Sequence, residues 1–123
     1  MPVQSSLQYF LGTDQAFDFT VYRDASKSLI RDVSGYTLNF MVKRLKTDAD
    51  GSALFSGTAT VTGTYASDPA TNTQKVVAQI ADTDLPVSTT AGQVHWSLKR
   101  TDAGSETILA YGRLLLIRPV HDA

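Results

Sequence analysis

Two carboxylates two residues apart with a glycine following open many calcium loops, and Asp48-Ala49-Asp50-Gly51-Ser52 has that form. Oxygen donors at that spacing can converge on a hard cation. A hand-type loop also needs a third oxygen ligand, an acid at its twelfth place and a helix on either side. The twelfth place here is Ala59, and the flanking residues alternate as strands do. The run reads as a hairpin loop rich in Asp and Gly, and no metal ligand set is expected from it.

Asp82 and Asp84 form a second carboxylate pair. On a strand, residues two apart share a face, and paired carboxylates do general acid–base work when a pocket perturbs their pKa values. The run Asp82-Thr83-Asp84-Leu85 better suits a short turn whose carboxylates accept backbone N–H groups. The two histidines, His95 and His121, are separated by most of a hairpin and a strand, which is no metal spacing. Serine and threonine are plentiful, but no nucleophile elbow is present and no histidine base stands beside one. Lys43-Arg44-Leu45-Lys46 is shorter than the basic runs of nucleic-acid patches and has no aromatic stacking platform, so it reads as a solvated strand end. Gly12-Thr13-Asp14 lacks the lysine and the spacing of a phosphate-binding loop. No catalytic residue, no cofactor-binding residue and no metal ligand is expected, and the chain does not read as an enzyme.

The elements that must position these groups announce themselves by alternation. Strand-like segments run over residues 7–11, 16–22, 36–43, 53–62, 75–80, 94–100 and 107–118. Leu7, Tyr9 and Leu11 share a face, as do Phe17, Phe19 and Val21, then Leu38, Phe40 and Val42, then Val76, Ala78 and Ile80. In the sixth segment Val94, Trp96 and Leu98 face inward and put His95 on the outer side. A period of two gives each strand one core face and one wet face, as in antiparallel sheets. The turn signals are Asp24-Ala25-Ser26, Ser34-Gly35, the 48–52 loop, Ser67-Asp68-Pro69 and Asp102-Ala103-Gly104. No window reads as an amphipathic helix of ordinary length, although residues 82–87 could hold one helical turn. About seven short alternating strands predict an all-β, immunoglobulin-like antiparallel β-sandwich; a small barrel fits the pattern too. Trp96 with Phe17, Phe19 and Phe40 reads as core rather than as a ligand box.

The bulk numbers agree with one domain over residues 1–123. A hydrophobic share of 42% against 19% charged residues suits a packed core rather than disorder. A net charge of −1 supplies no long-range field for nucleic acid or an anionic membrane, so neither is expected as a partner. The chain has no cysteine, which rules out a disulfide and a thiolate nucleophile. Met1-Pro2-Val3-Gln4-Ser5-Ser6 has no basic stretch followed by an apolar one, so no signal peptide is expected. The longest apolar run, Leu114-Leu115-Leu116-Ile117, falls far short of a membrane span.

A sequence of small motifs runs through the chain. Gly12-Thr13-Asp14 leads into the Phe17–Val21 alternation, the acidic turn Arg23-Asp24 follows, and then Val33-Ser34-Gly35 precedes an aromatic-bearing strand. Further on come Asp82-Thr83, then Ala91-Gly92-Gln93-Val94-His95-Trp96, and the closing Gly112-Arg113-Leu114-Leu115-Leu116-Ile117. Over nearly its whole length the chain thereby resembles the N-terminal domain family of phage baseplate upper proteins and the related small immunoglobulin-like domains of phage tails. It departs from that pattern in the permuted Gly-Thr-Asp triplet, in Val94 where an aromatic is common, and in the long 53–73 excursion.

The resemblance implies a structural role without catalysis or cofactor, as a virion component of tail, baseplate or neck made in the host bacterial cytoplasm. Capsid cement or head decoration is the alternative within the same class. A carbohydrate-binding module, with Tyr65, Tyr22 and Tyr111 as candidate platforms, is the alternative outside it. The expected partners are other virion proteins and copies of the chain itself, as a trimer or hexamer. Short arms at the two ends, and the 63–73 loop as a mobile element, are the expected points of contact. The residues named for the interface are Tyr65 and Asp68 in that loop, His95 on its strand, and His121 in the tail.

Overall fold

The alternating segments are strands in the computed structural model, which describes residues 3–23 and 29–119. They are β1 (Val3–Phe10), β2 (Gln15–Phe19), β3 (Leu38–Lys43), β4 (Phe55–Thr62), β5 (Lys75–Ile80), β6 (Gly92–Arg100) and β7 (Thr107–Ile117). β5 begins and ends where the alternation predicts. β2 stops three residues early because Thr20 and Val21 leave the ladder, and the chain beyond makes only an isolated bridge between Tyr22 and Ile30. The expected turn at Asp24-Ala25-Ser26, the start at Met1-Pro2 and the tail from residue 120, His121 included, lie outside the described residues.

The strands follow the order β1-β7-β6-β3-β4-β5-β2. β4 turns the corner between two layers. Its first half, up to Ala59, pairs with β3, while Thr60, Val61 and Thr62 pair with β5. One layer is therefore β1-β7-β6-β3 with the start of β4, and the other is the end of β4 with β5 and β2. Second strand with fifth, third with sixth and sixth with seventh is the pairing of an immunoglobulin-type sandwich, and the shared β4 curls it toward a barrel. One expectation needs correction: the sandwich is not wholly antiparallel. β1 runs parallel to β7, from Val3 beside Ala110 to Phe10 beside Ile117. The opening segment, expected to act partly as an arm, is thus a strand of the first layer. Leu11 continues the pairing by donating its N–H to the Ile117 carbonyl at 2.9 Å.

The layers close on an aromatic cluster. Phe19 of β2 stacks on Trp96 of β6 at 4.9 Å between ring centres, and Phe40 of β3 lies 5.8 Å from both. Phe17 packs on Phe40 at 6.0 Å. Trp96 is 2% exposed, and Leu38, Val42, Ile80, Val94, Leu98 and Leu114 around it are equally buried. Its cross-strand partner is Gly112, which brings no side chain to the inner face opposite the indole. The expected helical turn at 82–87 is instead two successive tight turns. In one, the Asp84 N–H meets the Ala81 carbonyl; in the other, the Thr89 N–H meets the Pro86 carbonyl. The one helical element among the described residues is the 3₁₀ turn Asp50–Ser52.

Candidate functional site

Strands β1, β3, β4, β6 and β7 contain no aspartate or glutamate, yet they carry Lys43, His95, Lys99, Arg100 and Arg113. Their register lines up a row across the outer face of the first layer: Lys43 beside His95, and His95 beside Arg113. A neighbouring row sets Met41 beside Ser97 and Ser97 beside Tyr111. Between these rows opens a groove of about 440 Å³ lined by Met41, Tyr111 and Ile108 together with Lys43, Lys46 and His95. A second hollow of about 360 Å³, bounded by Ser6, Gln8, Gln93, Arg113 and Leu115, adjoins it across the His95–Arg113 pair. Apolar side chains stand out along the face, with Ile108 39%, Leu115 41% and Phe10 46% exposed.

His95 is the expected interface residue that this face contains. Its Nδ1 is buried and is the one such side-chain nitrogen or oxygen without a hydrogen-bond partner among the described residues. Leaving a buried polar atom unpaired costs about 1–3 kcal/mol, so the ring sits on the face at a cost to the free protein. Lys43 is partly neutralised through a 2.6 Å bond to Asp50, which holds the Asp50 carboxyl below its ordinary range.

Tyr65 and Asp68 lie elsewhere, at the end of the sandwich opposite the 44–54 loop. The half-buried Tyr65 accepts a hydrogen bond from Arg23 at 2.8 Å and donates one to the Ile30 carbonyl at 3.1 Å, tying the 63–74 connection to the chain on both sides of the Tyr22–Ile30 bridge. Asp68 accepts the Ala70 N–H at 2.9 Å with its side chain, and its carbonyl accepts from Asn72 at 3.0 Å. Thr64 and Thr73 bond reciprocally at the base of this loop. The loop expected to be a mobile contact element is thus closed by its own hydrogen bonds, Asp68 among them, while Tyr65 fastens it to Arg23 and Ile30.

The remaining candidates are also tied up locally. Asp48 accepts the Leu45 N–H at 3.0 Å while Asp50 turns to Lys43, so the two carboxylates of the calcium-like run point to different partners. Asp84 accepts the Ala81 N–H at 2.8 Å, as a turn cap should, and Asp14 accepts the Asp82 N–H at 2.7 Å. Among the described residues no three His, Cys, Asp or Glu side chains gather as a metal site. No helix there is long and apolar enough to cross a membrane.

One constellation escaped the sequence reading. Gln74, 4% exposed, accepts the Val33 N–H at 3.2 Å and donates to Asp32 at 3.1 Å and Ser34 at 3.0 Å. It clamps the 32–34 turn to the start of β5, and a single polar residue before a strand carries no signal of that. The face whose strands carry no acid was likewise hidden, since it exists only once five strands are put in register. No family model and no curated protein matches this chain.

Proposed function

We propose that the chain is a non-enzymatic structural component of a bacteriophage virion, serving in the tail, baseplate or neck. It docks to neighbouring virion proteins through the outer face of the β1-β7-β6-β3 layer. The observation that carries this reading is that face. Its strands supply cations and no carboxylate, with Asp50 of the 44–54 loop meeting Lys43 at its edge, and it is studded with exposed apolar side chains, which a domain with no use for them would keep few. The motif resemblance supplies the virion class. Small sandwich domains of this kind repeat around a symmetry axis, and a trimer or hexamer is the assembly proposed here.

The test is immunogold electron microscopy on intact particles produced by cells carrying the gene, with antibody raised against the purified domain. Label at the tail or neck is the expected result. Label over the head would move the role to capsid cement, and absence of the chain from digests of pure particles would end the virion reading.

A further inference from the structure

The two hollows lie in line on the outer face, on either side of the His95–Arg113 pair, and together make an interrupted trough that crosses the strands from Met41 and Lys43 on β3 to Ser6 and Gln8 on β1. Three strand spacings make it about 14 Å long, the reach of about four extended residues. We propose that this trough binds an extended acidic segment of a partner polypeptide that carries an aromatic or large aliphatic side chain. The proposal rests on the reading of this face as a docking surface and names what docks.

Complementarity selects the occupant. Lys46 and Arg113 line the trough together with Lys43, which Asp50 already engages, and the five strands beneath it supply no carboxylate to compete for Lys46 and Arg113. Met41, Ile108 and Tyr111 offer an apolar lining beside those cations, so a ligand needs negative charge and an apolar body within a few residues of each other. A nucleic acid is the less suitable anion. Tyr111 is the one aromatic side chain presented to the trough beyond the buried Trp96, whereas strand-tracking grooves stack successive bases on several rings. The open, shallow form suits a chain laid across it rather than an enclosed small molecule.

The probes are fluorescein-labelled random copolymers: poly(Glu,Tyr), poly(Glu) and poly(Lys,Tyr), with a labelled DNA duplex alongside, each titrated by fluorescence polarisation against the intact chain. Poly(Glu,Tyr) is expected to bind at least tenfold more tightly than poly(Glu), with poly(Lys,Tyr) not binding, and its affinity should fall as salt is raised. Backbone amide shifts should concentrate at Met41, His95, Ser97, Tyr111 and Arg113. Lys46→Glu combined with Arg113→Gln should weaken binding at least tenfold, and Ile108→Ser should weaken it severalfold. Lys75→Glu, on the other layer, should leave it unchanged, and all variants should keep the thermal transition of the parent. The proposal is overturned if poly(Glu) binds as well as poly(Glu,Tyr), if the double variant binds like the parent, or if the amide shifts map elsewhere. Duplex DNA binding at the same face more tightly than poly(Glu,Tyr) would replace the polypeptide with a nucleic acid. None of these failures touches the immunogold result, so the docking chemistry and the virion role stand or fall separately.

Discussion

At the scale of single residues, Trp96 and Gln74 hold the molecule by opposite physics. Trp96 contributes apolar area and ring stacking with Phe19 and Phe40, so Trp96→Ala should cost about 3–5 kcal/mol in urea unfolding, or leave no folded domain to measure. Gln74 contributes three satisfied hydrogen bonds in a buried position. Gln74→Ala strands the Val33 N–H and should cost about 1–3 kcal/mol, most visibly as lost protection of amides 32–34 from hydrogen exchange. The sequence made the first of these readable and concealed the second. A tryptophan flanked at i±2 by Val94 and Leu98 declares its face, whereas Gln74 is a polar residue whose partners lie some forty positions away. Asp84 shows the middle case: the turn cap was legible because its partner, Ala81, is local.

At the scale of elements, the strands follow from alternation, but their partners do not. A period of two states which side chains face the core and says nothing about whether the neighbour runs parallel or antiparallel. That is why β1 was placed as a strand without its parallel direction being seen. Along β1, Leu11 points its N–H at β7, so Tyr9 and Leu7 do too, and Ser6, Gln8 and Phe10 turn their backbone groups to the open edge. Two of those open carbonyls are covered: Gln15 donates to Gln8 at 2.9 Å and Thr13 to Phe10 at 2.6 Å. Such covering blunts an edge that could otherwise recruit foreign strands. The N–H groups on that side stay open. Amide exchange followed by NMR should therefore alternate along β1, slow at Leu7, Tyr9 and Leu11 and fast at Ser6, Gln8 and Phe10. Uniform protection would mean the edge is paired in solution.

At the scale of the whole molecule, acid stability follows from the hairpin between β6 and β7. Asp102 accepts hydrogen bonds from Arg100 and from the Thr37 N–H, and these hold its carboxyl down to about 2. The folded value lies below the unfolded one near 3.8, so the folded form takes up its proton less readily. The stabilisation is complete above the unfolded value and is lost as pH falls toward about 2. Asp32, bonded to Ser34 and Gln74, and Asp50, bonded to Lys43, are lowered too and add the same sign. Thermal unfolding should therefore weaken through this window, and Asp102→Asn should lower the midpoint at neutral pH with the gap to the parent closing near pH 2, as calorimetry at a series of pH values would show. Arg100 also lies 3.8 Å over the Tyr36 ring, so this one hairpin end is fastened by charge, backbone and ring together.

The parallel clasp of β1 and β7 has a mechanical consequence. Val3 starts beside Ala110 and Phe10 ends beside Ile117, so the outer ends of these two strands leave in opposite directions. Tension applied along them slides one strand past the other and loads every bond between them at once, where an antiparallel pair pulled from adjacent ends would open one bond at a time. Forced unfolding is set by the barrier rather than by equilibrium stability. A domain threaded between neighbours through β1 and β7 is thereby built to bear a pull along its length.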